Sequence, residues 1–304
     1  MDLRVEFAGL VLKNPIITAS GTFGFGLEFM NFGDLKRLGG IVVKGLSLKP
    51  REGNPMPRIV ETPCGMLNAI GIQNPGVEAF VRDKLPLLPW RETAIIANLY
   101  ACTVQEFGEL TGVLAGEEGV AALEVNVSCP NVQTGGAAFG QDPTQIRKVT
   151  EEVKKRAAGK PVIVKLSPNV TDIGLCARAA QDGGADAVSL INTLLGMAVD
   201  IRTRRPRLAN VVGGLSGPAI KPVALRCVHQ ACKAVSIPVI GIGGIVSAED
   251  ALEFILVGAA AVEVGTANFL RPDQAFRIVD DLQRVMIKAR CEELSELRGS
   301  LKLG

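Results

Sequence analysis

Lys44, Asn98, Asn126 and Lys165 each stand at or next to the end of a short apolar run: IVVK, AIIAN, ALEVN and PVIVKL. An ammonium pairs with a carboxylate or an anionic ring, or forms a Schiff base with a carbonyl, and side-chain amides match alternating C=O and N–H groups. Directly after Asn126, the segment LEVNVSCPNVQTGG (123–136) brings Ser128, Cys129 and Asn131 into a loop rich in Gly and Pro. A thiol placed there is a candidate acid/base or nucleophile, because its thiolate is the reactive form. The sole histidine, His229, falls inside the helical pattern VALRCVHQACKAV, so Ser-His and Cys-His catalysis lack an obvious base. Acid/base work then falls to Cys129, a lysine or a carboxylate, and the strand ends are short of carboxylates.

Two glycine turns complete the set. GIGG (241–244) and VGTA (264–267) both follow apolar runs, and each lets backbone N–H groups approach phosphate oxygens, with a short helix expected from about Thr266. A phosphate-bearing ligand follows. A flat heterocycle ringed by Lys44, Asn98, Asn126 and Lys165 would suit a flavin, whose reduced, anionic ring a lysine stabilises; the same lysines leave a Schiff base open. GTFGFG (21–26) lacks the G-x-G-x-x-G spacing and is not read as a dinucleotide fingerprint.

The elements that must hold these residues are strands. Eight apolar runs recur at 16–20, 41–44, 94–98, 122–126, 161–166, 187–192, 238–244 and 261–266, and each has a polar residue or glycine at or next to its end. Helical patterns lie between most of them, including 143–158 with Asp142 as N-cap and a glycine stop at 159, and 247–256 with Ser247 as N-cap. Eight strand–helix units favour a closed (β/α)8 TIM barrel, in which the strand ends form the active-site face. Residues 45–93 and 193–217 are too long for plain connections and are expected to fold over that face as loop excursions. The chain, 1–304, reads as one domain without repeats or low-complexity tracts.

Composition narrows the partners. With 33 basic and 31 acidic residues and a net charge of +2, there is no footprint for a nucleic acid or an anionic membrane. The first residues do not read as a signal peptide or anchor, and no run approaches a membrane span of about 20 residues. Seven cysteines, odd in number and without metal-type pairing, fit free thiols in a reducing cytoplasm, with no metal site expected. Cys227 and Cys232 open a C-x4-C spacing, but Val235 follows where a third iron–sulfur ligand would stand, so both read as helix residues.

Several motifs together resemble the class 1 dihydroorotate dehydrogenases, and more closely the catalytic subunits of class 1B. NVSCPN (126–131) is similar to the catalytic loop, MLNAIGIQNPG (66–76) to the substrate loop, and TASGTFG (18–24) and VVKGLS (42–47) to flavin loops. INT, GGLSG, GIGGI and VGTA follow in order, so the resemblance runs from residue 2 to about 270. It implies that Cys129 removes the proton from C5 of dihydroorotate while hydride passes from C6 to FMN.

It further implies that Lys44, Asn68, Ala69, Ile70, Gly71, Ile72, Asn126, Asn131, Asn192 and Thr193 hold the substrate. For FMN it implies Ser20, Gly21, Lys44, Gly45, Asn98, Asn126, Lys165, Ile191, Gly217, Gly243, Gly244, Gly265 and Thr266. The resemblance is not to the membrane-bound class 2 enzymes, of which an N-terminal extension and a serine base would be expected where this sequence offers Cys129. Class 1B further implies a heterotetramer of two catalytic and two electron-transfer subunits, the latter carrying FAD and a [2Fe–2S] cluster and passing electrons to NAD. A class 1A homodimer using fumarate is the close alternative. From other classes, a Schiff-base lyase at Lys165 or Lys44 and a non-catalytic phosphate-binding barrel remain, and bound flavin separates all three.

Overall fold

A computed structural model describes residues 2–127 and 139–303. All eight expected runs form strands: β1 Ile16–Thr18, β2 Gly40–Val42, β3 Ala94–Leu99, β4 Ala122–Asn126, β5 Val162–Lys165, β6 Ala187–Leu190, β7 Val239–Ile242 and β8 Ala261–Val264. Each pairs in parallel with its neighbours in chain order, and β8 pairs with β1 to close the barrel. Strands covered on both faces need apolar residues at nearly every position, which is why the runs are continuous rather than alternating.

The side chains still alternate in direction. Ile17, Val42, Ile96, Ala122, Ile163, Ala187, Ile240 and Ala261, one per strand, form an inner cluster. The antiparallel hairpin Val5–Phe7 and Leu10–Leu12 adds Phe7, Leu10 and Leu12 and plugs the barrel floor. The intervening residues, such as Ile16, Ile41, Ile95 and Val164, point outward into the larger core beneath the helices.

The helices are α1 Val77–Asp83, α2 Val104–Ala115, α3 Pro143–Arg156, α4 Ile173–Asp182, α5 Lys221–Ala234, α6 Ala248–Leu256, α7 Ala267–Leu270, α8 Gln274–Lys288 and α9 Leu294–Leu297. The expected N-caps hold: Asp142 accepts from the Thr144 N–H, and Ser247 forms a capping box with Asp250. Between β1 and β2 there is no α-helix, only the 3-10 turns Leu27–Phe29 and Leu35–Arg37. Helix α8 covers that gap instead, through Phe276 beside Gly33 and Phe23 and an Arg37–Asp280 ion pair.

The two long excursions are one structure. Leu194–Met197, Val212–Ser216, Gly65–Asn68 and Ile59–Thr62 form a four-stranded antiparallel sheet in that order. One face buries Val60, Leu67, Ala69 and Leu208 in a satellite core. Sequence reading expected both segments to fold over the barrel face as excursions, without their pairing, which joins segments about 150 residues apart. Among the described residues, no helix is long and apolar enough to cross a membrane, and no group of His, Cys, Asp and Glu could hold a metal ion.

Candidate active site

Two steps up each strand from the inner apolar cluster, the barrel interior changes character. The next inward positions are Ala19, Lys44, Asn98, Glu124, Lys165, Ser189, Ile242 and Glu263. Above them the strand ends open into two adjoining cavities that share Ser20, Thr22, Lys165, Asn192, Thr193, Ser216 and Thr266.

The first cavity is the glycine end, with Gly217, Gly243, Gly244 and Gly265 along its wall beside Ile191 and Thr266. Gly244 sits at φ +73°, and a Cβ there would lie 2.7 Å from Lys221 Cβ and 2.9 Å from the Lys221 nitrogen, at the start of α5. Only glycine lets this turn lie against the helix N-terminus, where backbone dipoles favour an anion. Thr266 Oγ1 donates to Ser216 Oγ at 2.7 Å, which ties the turn after β8 to the lid sheet. The expected short helix is present as α7.

The second cavity is lined by Gly21, Lys44, Gly45, Asn98 and Asn126 from the strand ends and by Asn68, Ile70, Gly71 and Ile72 from the loop between β2 and β3. That loop is fixed by Asn74, whose Oδ1 accepts from the Ser47 and Gly76 N–H groups and whose Nδ2 donates to the Ile72 carbonyl at 2.8 Å. Across the mouth, Asn192 Oδ1 accepts from the Thr193 N–H at 2.8 Å, and Asn169 ties down both sides of the turn through Thr193 O and Leu195 N. Asn98 is fully buried: its Nδ2 donates to Glu124 Oε2 at 2.6 Å, while its Oδ1 has no hydrogen-bond partner. A buried acceptor left without a donor is costly, so this residue, which lines the second cavity, carries an unmet need for an N–H.

Every residue assigned from sequence to FMN lines one of these cavities, and so do the substrate assignments with two exceptions. Ala69 turns into the satellite core and is 1% exposed. Asn131 and Cys129 lie outside the described residues. None of the other cysteines lines either cavity. Burial pushes the Cys176 and Cys232 thiols up to about 11, so neither supplies thiolate at neutral pH. His229 is half-buried on α5, and Cys227 is buried on the same helix, as their patterns implied.

Sequence reading missed Glu124 and Glu263. It found the strand ends short of carboxylates, and both glutamates sit on the strands themselves, two positions above the apolar cluster and under Lys165. A glutamate inside the runs ALEVN and AVEVG is the signal that was available. Burial acts against the Lys165 charge, but Glu124 and Glu263 outweigh it and hold the ammonium above its usual range. That pairing keeps the nitrogen protonated and disfavours Lys165 as a Schiff-base nucleophile.

A family model described as dihydroorotate dehydrogenase matches residues 2–286. The chain is 73% identical over 303 residues to the dihydroorotate dehydrogenase B (NAD(+)) catalytic subunit of Maridesulfovibrio salexigens, covering 100% of this chain and 99% of that protein. It is 70% identical over 304 residues to the protein of the same name from Solidesulfovibrio magneticus, at the same coverage. It is 57% identical over 302 residues to that from Citrifermentans bemidjiense, covering 99% of each.

Proposed function

The chain belongs to the dihydroorotate dehydrogenase family, and from that premise we propose that it is the FMN-bearing catalytic subunit of an NAD-linked enzyme that oxidises dihydroorotate to orotate in pyrimidine biosynthesis. The observation that carries the reading is the continuity of the two cavities through Lys165. A glycine-lined end at a helix N-terminus suits a phosphate, and an end lined by two lysines and several amides suits a flat, polar ring.

The cavity residues fit FMN in three respects. Gly217, Gly243, Gly244 and Gly265 would hold the phosphate, the last three from the turns after β7 and β8, the placement usual for a phosphate in this barrel. Asn98 Oδ1 supplies the buried acceptor that a ring N–H would satisfy. Lys165, kept charged by the glutamates beneath it, stands where an electron-accepting ring gains negative charge. FMN, when bound, supplies the two-electron acceptor for the hydride leaving C6.

The chain's own residues do the rest. Lys44 pairs the orotate carboxylate, and Asn68, Asn126, Asn131 and Asn192 match the ring's alternating donors and acceptors. Asn74 holds the 66–76 loop in shape, so substrate is oriented before chemistry begins. Cys129 takes the C5 proton as thiolate. The lid sheet excludes water from the mouth. In this reading the whole chain is one FMN-binding domain, located in the cytoplasm.

The name the relatives carry, a catalytic subunit with NAD(+), supports a separate electron-transfer subunit. We assign FAD and the [2Fe–2S] cluster to that partner, in a heterotetramer of two subunits of each kind, over a class 1A homodimer. The test is Cys129→Ala under single turnover. The variant should keep its FMN and lose most of its rate of flavin reduction by dihydroorotate, while wild-type reduction should accelerate with pH towards the thiol's ordinary ~8.5. Wild-type reduction by the variant would remove Cys129 from the mechanism.

A further inference from the structure

Lys165 does not act alone. Its Nζ is 3.1 Å from Glu263 Oε2 and 3.5 Å from Glu124 Oε2, with all three side chains at most 5% exposed. Neither carboxyl lines either of these two cavities, whereas Lys165 lines both, so Lys165 stands between the carboxyls and the occupant of the ring end.

The two acids are not equivalent. Glu124 accepts from Ser189 Oγ at 2.7 Å on one oxygen and from Asn98 Nδ2 at 2.6 Å on the other. Glu263 has Lys165 on Oε2, whereas its Oε1 is buried with no hydrogen-bond partner. An ionised carboxylate so poorly supplied with donors bears most of its desolvation cost. Two anions against the one ammonium that pairs with them would also leave a net negative charge on this buried cluster. One proton on Glu263, donated in a hydrogen bond to the neighbouring Glu124 carboxylate, removes both problems.

The electrostatics agree. Burial and then the Glu124 charge push Glu263 well above the ordinary carboxyl range, with Lys165 opposing. Burial acts on Glu124 too, but Lys165 and the hydrogen-bond donors prevail and keep it ionised. The strands flanking β8 bring only Ile240, Gly241 and Ile242 from β7 and Ile16, Ile17 and Thr18 from β1, none of them ionisable. Lys44 is the other cation at the ring end.

We propose that Glu263 is a redox-linked proton site and positioning residue acting through Lys165. It holds a proton at neutral pH and releases it at alkaline pH, more readily when the ring above Lys165 is uncharged than when it is reduced and anionic. The proton leaves Glu263 for solvent as the carboxyl becomes carboxylate, and no electron passes through it. A negative charge above Lys165 opposes a second one below it, so the carboxyl keeps its proton to higher pH in the reduced protein. Reduction is then accompanied by one extra proton over the pH interval between the two states.

This inference rests on the FMN assignment, and its test separates the two. Equilibrium redox titration of the FMN-loaded protein from about pH 6 to 10 should show a slope near 30 mV per pH unit that steepens to about 59 mV over an alkaline interval, since one proton per two electrons corresponds to ~30 mV per tenfold change. Glu263→Gln, the isosteric neutral side chain, should keep the shallow slope throughout. In flavin-free protein, the infrared pH-difference spectrum should contain a buried protonated-carboxyl band that disappears at alkaline pH and is missing from Glu263→Gln. A single slope in the wild type, a steep interval surviving in Glu263→Gln, or the lack of a titrating carboxyl band would each overturn the proposal. Failure to bind FMN would instead overturn the cofactor reading, with the infrared band still deciding whether Glu263 holds the proton.

Discussion

Replacing Lys165 by Met removes the one ammonium that compensates Glu124 and leaves a buried carboxylate facing Asn98 and Ser189 without a countercharge. Removing one partner of a buried pair costs about 3–5 kcal/mol, whereas replacing both partners by neutral groups is often close to neutral. Lys165→Met should therefore lose about 3–5 kcal/mol of stability at pH 8, and Glu124→Gln combined with Lys165→Met should recover roughly half of that or more. The pH dependence has a definite sign. In the wild type, Glu124 is held below its usual range, so its contribution is present above the ordinary carboxyl value and is lost as pH falls through the folded value. In Lys165→Met, burial without the ammonium raises Glu124, which takes up a proton, so the deficit against wild type should shrink as pH falls from 8 to about 4.5. Urea unfolding of flavin-free protein, followed by far-UV circular dichroism, measures both effects without linkage to ligand. A deficit independent of pH, or a double variant no more stable than Lys165→Met, would refute the reasoning.

Three further outcomes are expected. Because folded Glu263 keeps a proton that the unfolded chain releases, wild-type stability falls by up to about 1.4 kcal/mol per pH unit from the ordinary carboxyl value up to the folded one; Glu263→Gln lacks this fall, and its advantage should grow with pH in the same urea assay. Gly244→Ala meets the start of α5 at 2.7–2.9 Å and should lose FMN affinity by tenfold or more by fluorescence titration, while Gly159→Ala, equally left-handed at φ +87° but with open space around it, should cost only about 1 kcal/mol and leave affinity unchanged. The purified subunit should reduce artificial acceptors but not NAD, and should gain NAD reduction on mixing with an FAD/iron–sulfur partner; NAD reduction by the chain alone, or fumarate reduction, would contradict the assigned electron route.

The barrel was legible because a strand covered on both faces must be a continuous apolar run, and eight such runs, each with a polar residue or glycine at or next to its end, leave few other readings. The helix caps at Asp142 and Ser247 were legible for a local reason, since each satisfies N–H groups two or three residues away. The lid sheet was not. Its strands are four or five residues long, include GMLN, LLGM and VGGLS, and pair Gly65–Asn68 with Val212–Ser216 across the chain, so nothing local marks the pairing. Nor was the substitution of α8 for a helix between β1 and β2, which depends on how Phe276 meets Gly33.

Within the site, strand-end residues could be recognised by type, but the layer beneath them required the inward register. Counting two residues on from Ala122 and Ala261 reaches Glu124 and Glu263, a step that becomes available only once the apolar cluster is known to face inward. Ala69 illustrates the opposite error. It lies inside the motif assigned to substrate, yet its side chain belongs to the core under the lid sheet, because neighbouring residues of that extended segment face opposite ways.

Anaerobic titration of the purified chain with dihydroorotate, in the absence of NAD and followed in the visible spectrum, tests the central assignment most directly. The account predicts one FMN per chain, bleached by about one equivalent of dihydroorotate. A colourless protein, or a bound flavin whose spectrum dihydroorotate leaves unchanged, would contradict it.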